Sequence, residues 1–235
     1  MLSQTLGTSG QSSYPHMHKP LSILEYALDL LLPKRCVGCK KFGVFLCNRC
    51  IEKIPLSQAP KEPYISAVFD YRHRVMKNAM WMFKYKNVRA IARCFGECLY
   101  DEVVGDLGES IDYSKGEAFL VIPIPLHSRR LRERGYNQSE LIARALTQFD
   151  RNKIFVLSTT ALTRIRATKP QAKSDRRSTR LVNLCNVFRA ESVAVNGKNI
   201  ILVDDVTTTG ATLSEARKAL LHAGARSVRA YAVAH

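Results

Sequence analysis

The most informative part of the sequence is Ile200-Ile201-Leu202-Val203-Asp204-Asp205-Val206-Thr207-Thr208-Thr209-Gly210-Ala211-Thr212. Four consecutive aliphatic residues predict a strand that is buried on both faces, as in a parallel sheet. Two carboxylates end this strand, a loop rich in threonine follows, and a helical pattern begins near Leu213. This order of strand, loop and helix predicts an α/β fold with a ligand site in the loop.

The loop has the features of a phosphate site. Its amides and the positive end of the helix dipole attract an anion, and the threonine hydroxyls can donate to its oxygens. Gly210 would let the backbone approach the phosphate without a Cβ. Asp204 and Asp205 would repel a phosphate, but they suit vicinal hydroxyls or a hydrated metal beside it. We therefore expect a sugar phosphate; the alternative is an incidental threonine-rich helix cap.

These thirteen residues resemble the phosphoribosyl-pyrophosphate loop of type I phosphoribosyltransferases. In that pattern a hydrophobic strand, two acidic residues and two variable residues precede Thr-Thr-Gly-x-Thr. The sequence contains no G-x-x-x-x-G-K-[ST] motif, which excludes a Walker-type nucleotide loop.

Two Cys-x-x-C pairs lie near the beginning of the chain, Cys36-Val37-Gly38-Cys39 and Cys47-Asn48-Arg49-Cys50. This spacing is typical of a tetrahedral four-cysteine zinc site, and four protein thiolates would make the zinc structural. Disulfides are the alternative, but nothing in the sequence marks the chain as secreted. The remaining cysteines show no ligand pattern and are expected to be ordinary buried thiols: Cys94, Cys98 and Cys185.

The composition indicates polyanionic ligands. The chain has 235 residues, with 36 Lys and Arg against 20 Asp and Glu, a formal charge of +16. Residues 129–180 hold 14 Lys or Arg against four Asp or Glu, a net charge of +10. Such a concentration favours nucleic acid, pyrophosphate or both, although a solvated basic face is the alternative. No apolar run approaches the roughly 20 residues of a transmembrane helix, and we expect a cytoplasmic protein.

The pattern along the chain predicts three regions: a disordered start at 1–19, a helix with the four-cysteine zinc finger at 20–62, and an α/β domain at 63–235. The predicted elements are a helix at 21–32, a strand at 64–71, helices at 75–86 and 88–103, and a strand at 118–122. Strands and helices alternate after that. This alternation predicts a doubly wound parallel sheet.

The strand at 118–122 leads into two prolines and then four arginines, which are Arg129, Arg130, Arg132 and Arg134. Loops after strand carboxyl ends line the ligand crevice of a doubly wound sheet, and arginine binds pyrophosphate bidentately. We predict a pyrophosphate-binding loop, with a solvated basic loop as the alternative. His127 is expected to be structural or solvent-facing. The charged segment 162–183 is either a mobile lid over the crevice or a plain linker.

The order of the motifs resembles the ComF family of competence proteins, which includes GntX-type members, over residues 20–235. After the two cysteine pairs come Phe83-Lys84-Tyr85, a Pro-Ile-Pro-Leu-His…Arg-Gly-Tyr-Asn-Gln segment at 123–138, Arg-x-Arg-x-Thr-x-x-Gln at 164–171, and the loop. The resemblance implies a type I phosphoribosyltransferase-like fold with an N-terminal zinc finger. It also implies handling of single-stranded DNA in natural transformation, with a competence helicase or other DNA-uptake machinery as partner.

By position, the resemblance makes Asp204 and Asp205 the catalytic pair, in contact with the ribose hydroxyls. It implies binding of phosphoribosyl pyrophosphate with Mg²⁺ by Val206, Thr207, Thr208, Thr209, Gly210, Ala211, Thr212, Lys84, Arg129, Arg130, Arg132 and Arg134. Thr207 departs from the pattern, because similar proteins often have an apolar or aromatic residue there. A different packing of the lid is the expected consequence.

Two functions are compatible with these features. In the first, the protein binds phosphoribosyl pyrophosphate and handles DNA during uptake; the basic segment and the zinc finger, with Arg49 and Lys53 nearby, favour it. In the second, it is an active phosphoribosyltransferase of nucleotide metabolism or salvage with no competence role. There a nucleophile would displace pyrophosphate from C1, with Mg²⁺ balancing the leaving charge. No segment shows a recognisable pattern for an acceptor.

Overall fold

The computed structural model describes residues 34–58, 60–108, 118–165 and 187–235. Within it Arg35–His235 form one compact unit. The sequence-based expectations for residues 1–19 and 21–32, for Cys185, and for most of the charged segment 162–183 fall outside the described residues. Of that segment, residues 162–165 are described.

Five parallel strands form the central sheet. In spatial order they are β1 (Ile65–Phe69), β7 (Ser227–Ala234), β6 (Asn199–Val206), β2 (Phe119–Pro123) and β3 (Phe155–Leu157). A separate antiparallel pair is formed by β4 (Leu162–Arg164) and β5 (Phe188–Ala190).

Helices α2 (Arg74–Tyr85) and α3 (Ile91–Leu107) follow β1, α4 (Ser128–Arg134) and α5 (Gln138–Phe149) follow β2, and α7 (Ala211–His222) joins β6 to β7. Two single-turn helices complete the described part: α1 (Asn48–Ile51) and α6 (Ser192–Val195). Among the described residues, no helix combines the length and the apolar character needed to span a bilayer.

Strand β6 is buried on both faces, as its aliphatic run predicted. Ile201 and Val203 pack in the core formed with α2, α3 and α5, whereas Ile200 and Leu202 pack in a second core formed with α7. Successive side chains of a strand point to opposite faces, which is why one aliphatic run fills both cores. The predicted doubly wound α/β fold is confirmed.

The strand order places a topological switch point between β2 and β6. The chain leaves β2 for β3 at one edge of the sheet, but it leaves β6 for β7 in the opposite direction. Ligands of doubly wound folds bind outside the carboxyl ends of the strands at such a point. Here α4 follows β2 and the threonine loop follows β6, so both segments lie at this crevice.

Two local expectations were wrong. Strand β6 continues through Asp204 and Asp205 to Val206 and does not end at the carboxylates. The arginine segment is the helix α4 and not a loop: His127 Nδ1 accepts from the Arg129 amide at 3.2 Å, and Gly135 ends the helix at φ 74°. These caps satisfy orphan backbone groups at both ends and stabilise a helix of only seven residues.

The cysteine pairs belong to the same core as the sheet. Cys36 and Cys50 are buried in one cluster with Met76 and Phe83 of α2. A short bridge between Leu56 and Phe69 also joins the segment after the cysteines to β1. Cys94 and Cys98 on α3, which were expected to be ordinary buried thiols, are partly buried and pack against the core.

Candidate functional site

The acidic pair lies at the carboxyl end of β6, with its two side chains on opposite faces of the sheet. Asp205 shares its face with Val203 and forms an ion pair with Lys84 of α2, with 3.0 Å between Oδ1 and Nζ. Asp204 Oδ1 accepts from the Ser139 hydroxyl and from the Asp205 amide, each at 2.9 Å. Each carboxylate is therefore held by a different set of neighbours.

Asp204 is the electrostatically unusual member of the pair. Burial, together with the charge of Asp205, raises the pKa of Asp204 to about 7; the Ser139 hydrogen bond and Lys84 act in the opposite direction. Near neutral pH this carboxyl is therefore partly protonated. A ligand or cation that interacts with the carboxylate form will displace the proton.

The threonine loop presents unused amides at the start of α7. The Thr207 amide donates to Ala234 O at 2.9 Å and Thr207 is buried, whereas Thr208 and Thr209 are exposed. Within the described part of the chain, no acceptor engages the amides of Thr208, Thr209 or Gly210. Free amides at the positive end of a 12-residue helix are groups that can bind an anion.

Gly210 occupies the left-handed region, with φ 72°. A Cβ there would lie 2.8 Å from Ile65 Cδ1 on β1. The backbone conformation and the packing against Ile65 therefore each favour glycine here, in addition to the clearance for a phosphate that the sequence predicts.

The four arginines of α4 have different environments. Arg129 pairs with Glu133 at 2.9 Å, and Arg134 donates to Gln138 Oε1 at 3.0 Å. Arg130 and Arg132 are exposed. Among the described residues, Arg129 and Arg134 are thus already engaged by polar side chains, whereas no hydrogen bond or ion pair is seen for the side chains of Arg130 and Arg132.

Two residues that sequence reasoning did not assign to the site belong to it. Arg164 of β4 interacts with the charges of both Arg130 and Asp204, and burial lowers its pKa. Its only sequence signal was the Arg-x-Arg-x-Thr-x-x-Gln segment, which was predicted to be either a lid or a plain linker. Ser139 donates its hydroxyl to Asp204, and no motif in the sequence assigned it to the site.

A cleft of about 730 Å³ opens beside the acidic pair, between α2 and α4. Its lining is aromatic and basic: Tyr71, Trp81, Lys84, Tyr85, Asn87, Arg130, Glu133, Arg134 and Tyr136. No pattern in the sequence predicted this cleft. The available signal was the spacing of Trp81 and Tyr85, which are four residues apart with a lysine on each side of Tyr85.

The four cysteines of the N-terminal pairs are brought together. All four sulfur atoms lie within 4.8 Å of one another, and Cys47 Sγ is 3.6 Å from the sulfurs of both Cys36 and Cys39. Tetrahedral zinc with bonds of about 2.3 Å requires sulfurs about 3.8 Å apart, whereas a disulfide requires about 2.05 Å. The cluster fits a four-coordinate metal such as zinc and does not fit disulfides.

The backbone of the cysteine pairs is adapted to the same geometry. The amides of Gly38 and Cys39 donate to the Cys36 sulfur. A Cβ at Gly38 would lie 2.7 Å from Cys50 Sγ, so only glycine leaves room for this ligand. Four protein ligands leave no open position on the metal, which is typical of a structural site.

Comparison with known proteins agrees with this geometry. Residues 142–235, which include the acidic pair and the threonine loop, match the phosphoribosyl transferase domain. The chain is 31% identical to the DNA utilization protein YhgH of Escherichia coli strain K12 over 190 residues, covering 79% of this chain and 75% of that protein. It is 29% identical to competence protein ComFC of Bacillus subtilis strain 168 over 161 residues, 67% of this chain and 58% of that protein. Competence protein F of Haemophilus influenzae is 32% identical over 164 residues, 65% of this chain and 64% of that protein.

Proposed function

The chain belongs to the ComF family, and from that premise we propose that it binds phosphoribosyl pyrophosphate and handles single-stranded DNA during natural transformation, in the cytoplasm. The names of its relatives, which refer to competence and to DNA utilization, support the role in DNA uptake. The phosphoribosyl transferase domain supports the sugar-phosphate ligand.

The observation that best supports the phosphoribosyl site is the direct succession of an acidic pair, of which Asp205 is buried and Asp204 half-buried, and the unused amides of the loop. The amides of Thr208, Thr209 and Gly210 would bind the 5′-phosphate at the start of α7. Asp204 and Asp205, fixed by β6, would accept from the ribose hydroxyls. The two ends of one ribose 5-phosphate unit are thus recognised by two adjacent segments of chain.

The basic residues around this site would hold the pyrophosphate. Lys84 and Arg130 line the cleft beside the acidic pair, and Arg164 lies close to Arg130. Carboxylate oxygens of Asp204 and Asp205 are of the kind that Mg²⁺ prefers. The ion would neutralise part of the pyrophosphate charge, and these side chains would orient the ligand.

A structural zinc ion at Cys36, Cys39, Cys47 and Cys50 completes the proposal.

Calorimetry with phosphoribosyl pyrophosphate and Mg²⁺ tests the site. Asp204→Asn and Asp205→Asn keep the size of the side chain but remove its charge, and each should weaken binding by about 1–3 kcal/mol. Asp101→Asn, an exposed aspartate on α3, is the matched control and should bind as the wild type does. Wild-type affinity in both site variants would refute the ribose assignment.

The DNA part of the proposal rests on the positive charge of α4. Replacing Arg129, Arg130 and Arg132 with Ala should weaken binding of single strands and lower the log–log salt slope by about 0.7 for each DNA phosphate that the variant no longer neutralises. The matched control removes three exposed charges at the amino ends of the strands: Arg151, Lys198 and Arg226. Equal effects of both triple variants would show that α4 is not the contact surface.

The basic residues Arg176, Arg177 and Arg180, which were also predicted to bind DNA, lie outside the described residues.

A second candidate function is phosphoribosyl transfer, with displacement of pyrophosphate from C1 by an acceptor. The cluster of Asp204, Asp205 and Lys84 favours it, because a site used only for polyanions would gain nothing from two carboxylates. Release of pyrophosphate in an acceptor screen, abolished by Asp205→Asn, would support this function. A complete screen without release would leave binding as the role of the site.

A further inference from the structure

We propose that the cleft between α2 and α4 binds bases of single-stranded DNA by stacking them on Trp81 and Tyr85. This inference rests on the proposed DNA handling and extends it, because that proposal used only phosphate contacts. The cleft adds a second kind of recognition, in which the planar faces of the bases are bound.

Both rings are largely exposed to solvent. Trp81 is 51% exposed and Tyr85 is 62% exposed, whereas Phe83 between them is fully buried in the core. Residues four apart share one face of a helix, so both rings stand on the same side of α2. Phe83 anchors this helix, and the rings are therefore held on a rigid element. Exposed aromatic residues of this kind are stacking platforms in proteins that bind single strands.

Cations accompany both rings. The Arg134 guanidinium lies 5.3 Å from the centre of the Tyr85 ring, and the Lys86 ammonium lies 5.1 Å from the Trp81 ring. Lys84 and Arg130 also line the cleft, and Glu133 is the single acidic residue among its lining residues. The cleft therefore fits a ligand that has flat apolar faces and negative charge, as a nucleotide strand does.

The charge distribution favours a strand over an isolated base. Arg129 and Arg132 continue the positive charge of α4 along the outside of the cleft, and Lys86 extends it directly after the end of α2. A free base has no phosphate for these cations, and a single nucleotide can occupy few of them. A strand supplies one phosphate for each base and can use both the rings and the surrounding cations.

Trp81 allows a direct measurement, because it is the only tryptophan of the chain. Its fluorescence is titrated with a short oligodeoxythymidylate, with an abasic oligonucleotide of the same length, and with thymidine monophosphate. Binding is followed in parallel by anisotropy of a labelled strand. We expect the oligodeoxythymidylate to quench Trp81 emission, and we expect no quenching by the abasic strand and weak quenching by the mononucleotide. Quenching by the mononucleotide at equal or lower concentration would assign the cleft to free nucleotides and overturn the proposal.

Substitutions locate the effect. Trp81→Ala and Tyr85→Ala should each weaken strand binding at least about fivefold, whereas Trp81→Phe, which keeps a ring, should retain most of it. Val193→Ala is the control, since Val193 is 93% exposed on α6, before the amino end of β6, and does not line the cleft. Equal losses in the Val193 and Trp81 variants would overturn the assignment to this cleft. Strand binding that leaves Trp81 emission unchanged would also overturn it while the proposed DNA function stands. Absence of any anisotropy change would mean that the DNA function itself fails.

Discussion

Lys84 Nζ lies 3.0 Å from Asp205 Oδ1, and this ion pair joins α2 to the carboxyl end of β6. The two side chains are 17% and 12% exposed, so each is largely removed from water. The pair also links the two proposed binding regions, because Lys84 lines the aromatic cleft while Asp205 belongs to the proposed ribose site.

Loss of this lysine should destabilise the protein. Lys84→Met leaves Asp205 without its counter-ion and, because some solvent screening remains, should lower the free energy of unfolding by about 1–3 kcal/mol. Lys77→Met, an exposed lysine on the same helix, should have little effect. Urea denaturation measures the free energy of unfolding of both variants. The double variant Lys84→Met/Asp205→Asn should recover part of the loss; no recovery would mean that Lys84 stabilises the fold without pairing.

The raised pKa of Asp204 should appear in the pH dependence of stability. A carboxyl with a folded pKa of about 7 and an ordinary value of 3.8 binds its proton more strongly in the folded state. Its contribution to the free energy of unfolding, at most about 4 kcal/mol, is therefore fully present below pH 4. This contribution is lost as the pH rises from about 4 to about 7. Asp204→Asn should remove this component, which denaturation at pH 5 and pH 8 would measure. Identical pH profiles of variant and wild type would contradict the assignment.

Ligand binding should release the same proton. If phosphoribosyl pyrophosphate with Mg²⁺ interacts with the carboxylate form of Asp204, affinity should increase as the pH rises through about 7. Calorimetry in two buffers of different ionisation enthalpy would detect the proton release, up to one proton near pH 6. The Asp204→Asn variant should bind phosphoribosyl pyrophosphate without releasing this proton. Equal proton release in that variant would assign the proton to another group.

Gly210 should tolerate substitution less well than a glycine of similar backbone conformation. Gly197 has φ 68° with no heavy atom near its Cβ position, so Gly197→Ala should cost only the left-handed strain, about 1–2 kcal/mol. Gly210→Ala adds the contact with Ile65 Cδ1 and should cost about 1 kcal/mol more. In an Ile65→Val background, which lacks that atom, this extra cost should disappear. Its persistence there would mean that the Ile65 contact is not the cause.

The cysteine cluster should hold one metal ion that is needed for local folding. Cys47→Ser removes one ligand, and Gly38→Ala places a Cβ 2.7 Å from Cys50 Sγ, so both should lower the zinc content of purified protein. Gly105→Ala is the control, because no heavy atom lies near its Cβ position. Metal analysis with thermal unfolding before and after chelation would measure the effect. Full zinc content in the Cys47→Ser variant would contradict the ligand set.

The sequence predicted much of the fold and the local parts of the site. The aliphatic run of β6, the acidic pair, the threonine loop and the two cysteine pairs are each encoded within a short segment. Periodicity, ligand spacing and capping act over such distances, which is why these patterns could be read directly. The arginine segment was misread as a loop because its caps, His127 and Gly135, are individually weak signals.

Tertiary structure decided which of these segments meet. Lys84 and Asp205 are far apart in sequence, as are Arg164 and Arg130, and no local pattern specifies either pair. Their positions follow from the packing of α2 on one face of the sheet, the strand order that puts β2 beside β6, and the antiparallel pair of β4 with β5. The aromatic cleft arises for the same reason, since it exists only where α2 and α4 lie side by side. The chain sequence alone determined the chemical groups and their local conformation, whereas long-range packing determined their distances and the burial that raises the pKa of Asp204.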